Sequence, residues 1–137
     1  MNSESEIERW INCSLKSYEE VGFGLWAIEL LEDGRFIGDA GITYQTVENQ
    51  RILEIGWHIH SEFRSCGYAT EAGKACLDFG FTTLQQEYFG SIVDPENPAS
   101  IKVASRVHAR RREYIGKNGT MLLFYSTAPS AATLNLA

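Results

Sequence analysis

Arg64, Gly67 and Ala69 stand in an R-x-x-G-x-A spacing between an alternating segment at 51–60 and a helix-like segment at 68–81. The first amides of a helix lack intrahelical acceptors and carry partial positive charge, so a phosphate can settle on them. Gly67 lets backbone approach an anion with no Cβ in the way, Ala69 keeps the next turn thin, and Arg64 adds a charge-assisted contact. In the preceding segment Leu53, Ile55, Trp57 and Ile59 alternate with Glu54, Gly56, His58 and His60. A carboxylate and two imidazoles on one polar strand face suit proton transfer. Glu54 with His58-x-His60 also has the outline of a metal trio. No second ligand cluster accompanies it, and no metal is expected. Further on, Asn97-x-x-Ser100 opens another helix-like segment, and Tyr114 and Tyr125 fall on late apolar runs.

The elements that must hold these residues follow from periodicity. Ser3 and Glu6 have a capping-box spacing, and Ile7, Trp10, Ile11, Leu15 and Tyr18 recur with helical period up to Gly22. A helix is predicted over 4–21. Strands are predicted at 23–31 and 35–47 around Glu32-Asp33-Gly34, then at 51–60 after a turn at 48–50. A polar loop at 61–67 leads to the helix at 68–81, striped by Ala69, Ala72, Cys76 and Phe79. A buried strand at 88–93, a helix at 99–108 and a hairpin of 112–115 with 121–127 complete the order. The order α-β-β-β-α-β-α-β-β predicts a single-domain α/β fold with a mixed sheet of about six strands. The domain is expected over 1–127, with a small, weakly polar tail at 128–137.

The chain has 137 residues, and 12 basic residues against 18 acidic ones leave a net charge of −6. That length suits one core, and the acidity argues against nucleic acid or an anionic membrane as partner. No apolar run approaches a membrane span and no signal peptide is evident. Cys13, Cys66 and Cys76, with no C-x-x-C spacing, fit reduced thiols in the cytoplasm. Half the basic residues (Lys102, Arg106, Arg110, Arg111, Arg112 and Lys117) crowd one stretch that could meet a small polyanion.

The run EIGWHIHSEFRSCGYATEAGKACLDFGF, followed by VDPENPASIKVA, resembles the GNAT superfamily of acetyl-CoA-dependent N-acetyltransferases. The nearest branch is the Rim type, which includes ribosomal-protein N-terminal acetyltransferases. The resemblance covers about residues 5–127. It implies that Arg64, Gly67 and Ala69, with the amides of Ser65, Cys66, Tyr68 and Thr70, bind the pyrophosphate of acetyl-CoA. It implies that backbone groups of Trp57, His58 and Ile59 hold the pantetheine arm and thioester carbonyl, and that Asn97 and Ser100 lie beside the thioester. Two features depart from the pattern. The strand and helix that usually open the family fold are not represented, and Val107-His108-Ala109 stands where a Leu-Gly-Phe-like turn is usual.

The implied reaction is direct attack of a primary amine, on a small molecule or a peptide N-terminus, on the thioester. Glu54, whose family position often holds a carboxylate, is the candidate base. His58 is a candidate proton relay, and Ser100 a candidate neighbour of the leaving sulfur. The alternative is a CoA- or acyl-CoA-binding module without turnover. One member of the basic stretch is a candidate for the 3′-phosphate of coenzyme A. Cys66, beside the loop, is expected to be the most reactive thiol. If the opening strand is missing, the strand at 23–31 offers an uncovered edge, and a homodimer with the acceptor site near the subunit boundary is expected.

Overall fold

The computed structural model describes residues 17–127. Six strands and two complete helices follow the helical residues 17–21. They are β1 (Leu25–Glu29), β2 (Phe36–Val47), β3 (Gln50–Ile59), α1 (Tyr68–Thr82), β4 (Gly90–Val93), α2 (Pro98–Val107), β5 (Arg110–Ile115) and β6 (Met121–Ser126), with a 3-10 turn at Ser61–Phe63. They form one mixed sheet of six strands, as expected, and its strand order is β1-β2-β3-β4-β6-β5. Among the described residues only β3 and β4 pair in parallel. The expected capping box, Cys13, most of the helix expected at 4–21 and the tail at 128–137 lie outside the described residues. Gly22, at φ +80°, ends the helical residues with its amide on the Tyr18 carbonyl.

Several boundaries shift for identifiable reasons. The strand expected at 23–31 contracts to Leu25–Glu29, because the Ser17 hydroxyl donates to the Phe23 carbonyl at 2.6 Å and holds that residue to the preceding helix. The strand expected at 88–93 starts at Gly90, since the Phe89 amide donates to Thr127 Oγ1 at 3.1 Å rather than to a ladder. β5 extends back to Arg110, which pairs with Ser126. As an edge strand it keeps Arg110, Arg111 and Arg112 in solvent, so three successive arginines carry no desolvation cost there. Glu48 (φ 49°) and Asn49 (φ 67°) form a two-residue turn with both residues left-handed, and this sets the β2–β3 register.

Burial divides the molecule into two sides of the sheet. Under α1 lie Phe23, Ala40, Ile42, Leu53, Ile55, Cys76 and Phe89. The Phe89 ring occupies the space over Gly80, where an added Cβ would come within 2.2 Å of it. Under α2 lie Val93, Ala104, Leu123 and Tyr125, and Trp57 packs against both clusters. Val47, Ile52, Tyr114 and Phe124 make a second, smaller core apart from these. Among the described residues no helix is long and apolar enough to cross a membrane.

Candidate active site

β3 ends at Ile59, the 3-10 turn reverses the chain, and two left-handed residues, Ser65 (φ 64°) and Gly67 (φ 84°), lift it into α1. Gly67 is the N-cap and has no side chain to offer the helix. The first helical bond runs from Glu71 N–H to the Gly67 carbonyl, so the amides of Tyr68, Ala69 and Thr70 precede it. A Cβ placed on Gly67 would meet nothing within 4 Å. An open cradle of uncapped amides is what an anion needs. Arg64 is anchored beside it, its Nε donating to the Ile59 carbonyl at 3.2 Å.

This cradle forms one wall of a groove of about 410 Å³. Of the residues expected to bind the nucleotide cofactor, Trp57, Ile59, Arg64, Ser65, Gly67, Tyr68, Ala69, Thr70 and Asn97 all line it. Cys66 does not: its side chain is exposed and its thiol turns to the Arg64 carbonyl at 3.5 Å. On the opposite wall, Asn97 Oδ1 accepts the Ser100 amide at 3.2 Å and caps α2. Asn97 therefore has a helix-capping task besides its place in the groove. Ser100 also lines the groove, as do Lys102 and Arg106 from the same helix. With Arg64 they put three cations around one cavity. The cradle and these charges fit a molecule carrying a pyrophosphate and a further phosphate, as acetyl-CoA does.

Trp57, His58 and Ile59 of the groove belong to β3, and further back along that strand the sheet has a gap. The parallel ladder between β3 and β4 registers one pair, Glu54 with Gly90. In a regular ladder the next bond would run from Ile92 N–H to the Ile55 carbonyl. Here Ile92 N–H donates to Glu54 Oε2 at 2.8 Å, and the Ile55 carbonyl accepts the Ser91 hydroxyl at 2.6 Å. Strand alternation turns the Trp57 amide toward the same edge as the Ile55 carbonyl, where a developing oxyanion could be met.

Glu54 does not line the groove; it is partly buried at the gap. Burial pushes its carboxyl up to about 7, partly offset by the Ile92 amide and by His58. A base that titrates near neutrality is suited to taking a proton from an amine. His58 does line the groove. Its Nδ1 lies 2.9 Å from Asp39 Oδ1, with the His58 side chain largely exposed and that of Asp39 mostly buried. The Asp39 hydrogen bond raises the His58 pKa against the opposing effect of burial. Tyr114 and Tyr125 are both core residues, and burial raises the Tyr114 pKa. Among the described residues no group of three His, Cys, Asp or Glu is placed to hold a metal ion.

The Asp39 partner and the Ser91–His108 pair escape a reading by periodicity. Asp39 was accessible through register: counting eight residues back from Val47 and on from Gln50 brings it opposite His58. Lys102 and Arg106 carried a usable signal in their i, i+4 spacing after the cap at Asn97. His108 showed only as an unusual residue at a turn; it is buried, its Nε2 2.8 Å from Ser91 Oγ, and burial lowers its pKa to about 4.

A family model described as an acetyltransferase (GNAT) domain matches residues 1–110. The chain belongs to the GNAT acetyltransferase family. The uncharacterized YkkB protein of Bacillus subtilis is 36% identical over 107 residues, covering 78% of this chain and 62% of that protein. The uncharacterized N-acetyltransferase p20 of Bacillus licheniformis is 30% identical over 104 residues, covering 73% and 58% respectively. The crystal structure of an acetyltransferase from Agrobacterium tumefaciens superposes with a TM-score of 0.78 at 27% identity, covering 92% of this chain and 72% of that one. This GNAT chain spans between 45% and 62% of the length of the curated relatives it matches.

Proposed function

We propose that this GNAT domain transfers an acetyl group from acetyl-CoA to a primary amine of a small molecule or a peptide N-terminus. The observation that carries the reading is that β3 runs from Glu54, at the β3–β4 joint, through Trp57 and Ile59 of the groove to the anion cradle at Gly67. Acetyl-CoA supplies the activated thioester. The amides of Tyr68, Ala69 and Thr70 with Arg64 bind its pyrophosphate, and Lys102 or Arg106 meets the 3′-phosphate. The gap between β3 and β4 admits the thioester, with the Trp57 amide placed to donate to the carbonyl oxygen. Glu54 takes the proton of the attacking amine, His58 relays protons to the groove, and Asp39 holds the His58 ring. Ser100 lies toward the departing sulfur and can donate to it directly or through water.

Assignment to the ribosomal-protein branch is part of the proposal. Its support is a shared fold with the ribosomal-protein-S5-alanine acetyltransferase of Vibrio fischeri, at a TM-score of 0.68 and 16% identity over 93% of this chain and 73% of that one. That likeness concerns the fold alone. Self-association belongs to the same reading. Among the described residues β1 pairs only with β2, and a second copy could pair with its outer edge beyond Leu25, whose carbonyl accepts the Tyr18 hydroxyl. Light scattering over a concentration series tests this, and a constant mass near 15.4 kDa refutes it.

The deciding experiment measures thiol release from acetyl-CoA with a panel of amines, beside calorimetric binding of acetyl-CoA. Release with at least one amine supports the reading. Binding without release on any amine replaces it with a CoA-binding module, and absence of binding refutes both.

A further inference from the structure

Ser91 and His108 line no part of the groove; they stand at the joint between β3 and β4. The Ile55 carbonyl can only accept, so the single Ser91 hydroxyl proton goes to it at 2.6 Å. The Ser91 oxygen is then left as an acceptor, and His108 Nε2, at 2.8 Å, must carry the hydrogen that reaches it. His108 Nδ1 is therefore the bare nitrogen, and it has no hydrogen-bond partner among the described residues. The backbone that carries the ring is anchored from two sides. The His108 amide caps α2 on the Ala104 carbonyl at 2.9 Å, and the next amide, of Ala109, bonds the Ser126 carbonyl of β6 at 3.2 Å.

We propose that the Ser91–His108 pair is a spacer that stops β3 and β4 from closing by one more ladder bond, and thereby keeps Ile92 N–H on the Glu54 carboxylate. With the Ser91 hydroxyl on the Ile55 carbonyl, that acceptor is taken and Ile92 N–H turns to Glu54 instead. Without the hydroxyl, the carbonyl is a buried acceptor in need of a donor, and Ile92 N–H is the donor the ladder would supply. His108 holds the hydroxyl in that orientation and ties it to the end of α2, whose opposite end carries Asn97 and Ser100. Both are positioning residues for Glu54, and the idea rests on the proposed role of Glu54 as base.

The groups that act on Glu54 are the Ile92 amide from β4 and His58 from β3, and Glu54 in turn acts on Tyr114 of β5, which Arg112 and Glu48 also influence. The spacer alters the Ile92 amide, which favours the charged carboxylate, and none of the others.

The test follows the carboxyl of Glu54 by carbon NMR titration in the full chain and in Ser91→Ala, His108→Leu and His108→Gln. Glutamine can place an N–H near the Nε2 position; leucine cannot. Titration of Glu54 moved up by about one pH unit in the alanine and leucine variants, and restored by glutamine, is the expected result. The acid limb of kcat/KM should move with it, and kcat at pH 7 should fall about fivefold, as the ionised fraction of Glu54 drops from about one half to about one tenth. Unmoved titration in folded alanine and leucine variants, or equal behaviour of glutamine and leucine, overturns the spacer. Should the variants fail to fold, nitrogen NMR of the wild-type imidazole decides: His108 must show hydrogen on Nε2, and hydrogen on Nδ1 alone overturns it. A wild-type chain that releases no thiol with any amine refutes the proposed function, while the Glu54 titration still decides the spacer.

Discussion

Replacing Glu54 with glutamine should make the protein more stable and less active, with the stability gain depending on pH. Burial raises the carboxyl from its ordinary 4.5 to about 7. The folded state therefore binds more protons than the unfolded state between those values, and stability falls as pH rises through that window. Above about pH 7 the whole cost is present. At about 1.4 kcal/mol per tenfold change it reaches at most about 3 kcal/mol, and at pH 5 it is under about 1 kcal/mol. Glutamine cannot ionise, and its Oε1 can still accept the Ile92 amide, so it removes the cost and keeps the bond. For a domain of this size about 3 kcal/mol corresponds to roughly 10 °C in melting temperature. Thermal unfolding of both proteins from pH 5 to pH 9 should show a gap that widens up to about pH 7 and then levels. A gap equal at pH 5 and pH 8, or a less stable variant at pH 8, would refute the account of Glu54 as a carboxyl buried against its charged form. In the same variant, loss of the base should lower kcat by about 100-fold or more with little change in KM for acetyl-CoA. An unchanged kcat removes Glu54 from the reaction, whatever the melting curves show.

Gly67→Ala should weaken acetyl-CoA binding at least about tenfold by calorimetry, because its Cβ enters the open cradle, and cost roughly 1–2 kcal/mol because Gly67 sits at φ +84°. Valine would add β-branched strain at the same angle and blur the readout, so alanine is the sharper variant. Arg106→Ala, or Lys102→Ala, should bring the affinities for coenzyme A and its 3′-dephospho form closer together; an unchanged ratio in both variants would detach these residues from the 3′-phosphate. Cys66 should be alkylated well before Cys76 in the folded protein, and more slowly with acetyl-CoA bound. Cys66 is exposed, whereas Cys76 is buried with its thiol pushed up to about 11. Mass mapping that finds Cys76 modified first contradicts this.

The order of strands and helices, the phosphate-type loop and the polar face of β3 were all legible in the sequence. These are local properties. Alternation at 51–60 and the helical stripe after Gly67 follow from the geometry of one strand and one helix, and a glycine ahead of that stripe marks the helix start. Boundaries were less legible, because an arginine-rich segment reads as solvated until β6 pairs with it and makes it the edge strand β5. The environment of Glu54, the Asp39 partner of His58, and the Ser91–His108 pair were decided only by tertiary structure. Asp39 faces His58 because a two-residue turn sets the register of strands nineteen residues apart in the chain at that point. Ser91 meets His108 because a helix ends over a parallel strand joint. The proton affinity of Glu54 depends on how much water its neighbours exclude and on one amide displaced from a ladder. Residue type names the groups that can titrate, but desolvation and hydrogen bonding are set by what packs around them, and that is fixed only when distant segments meet.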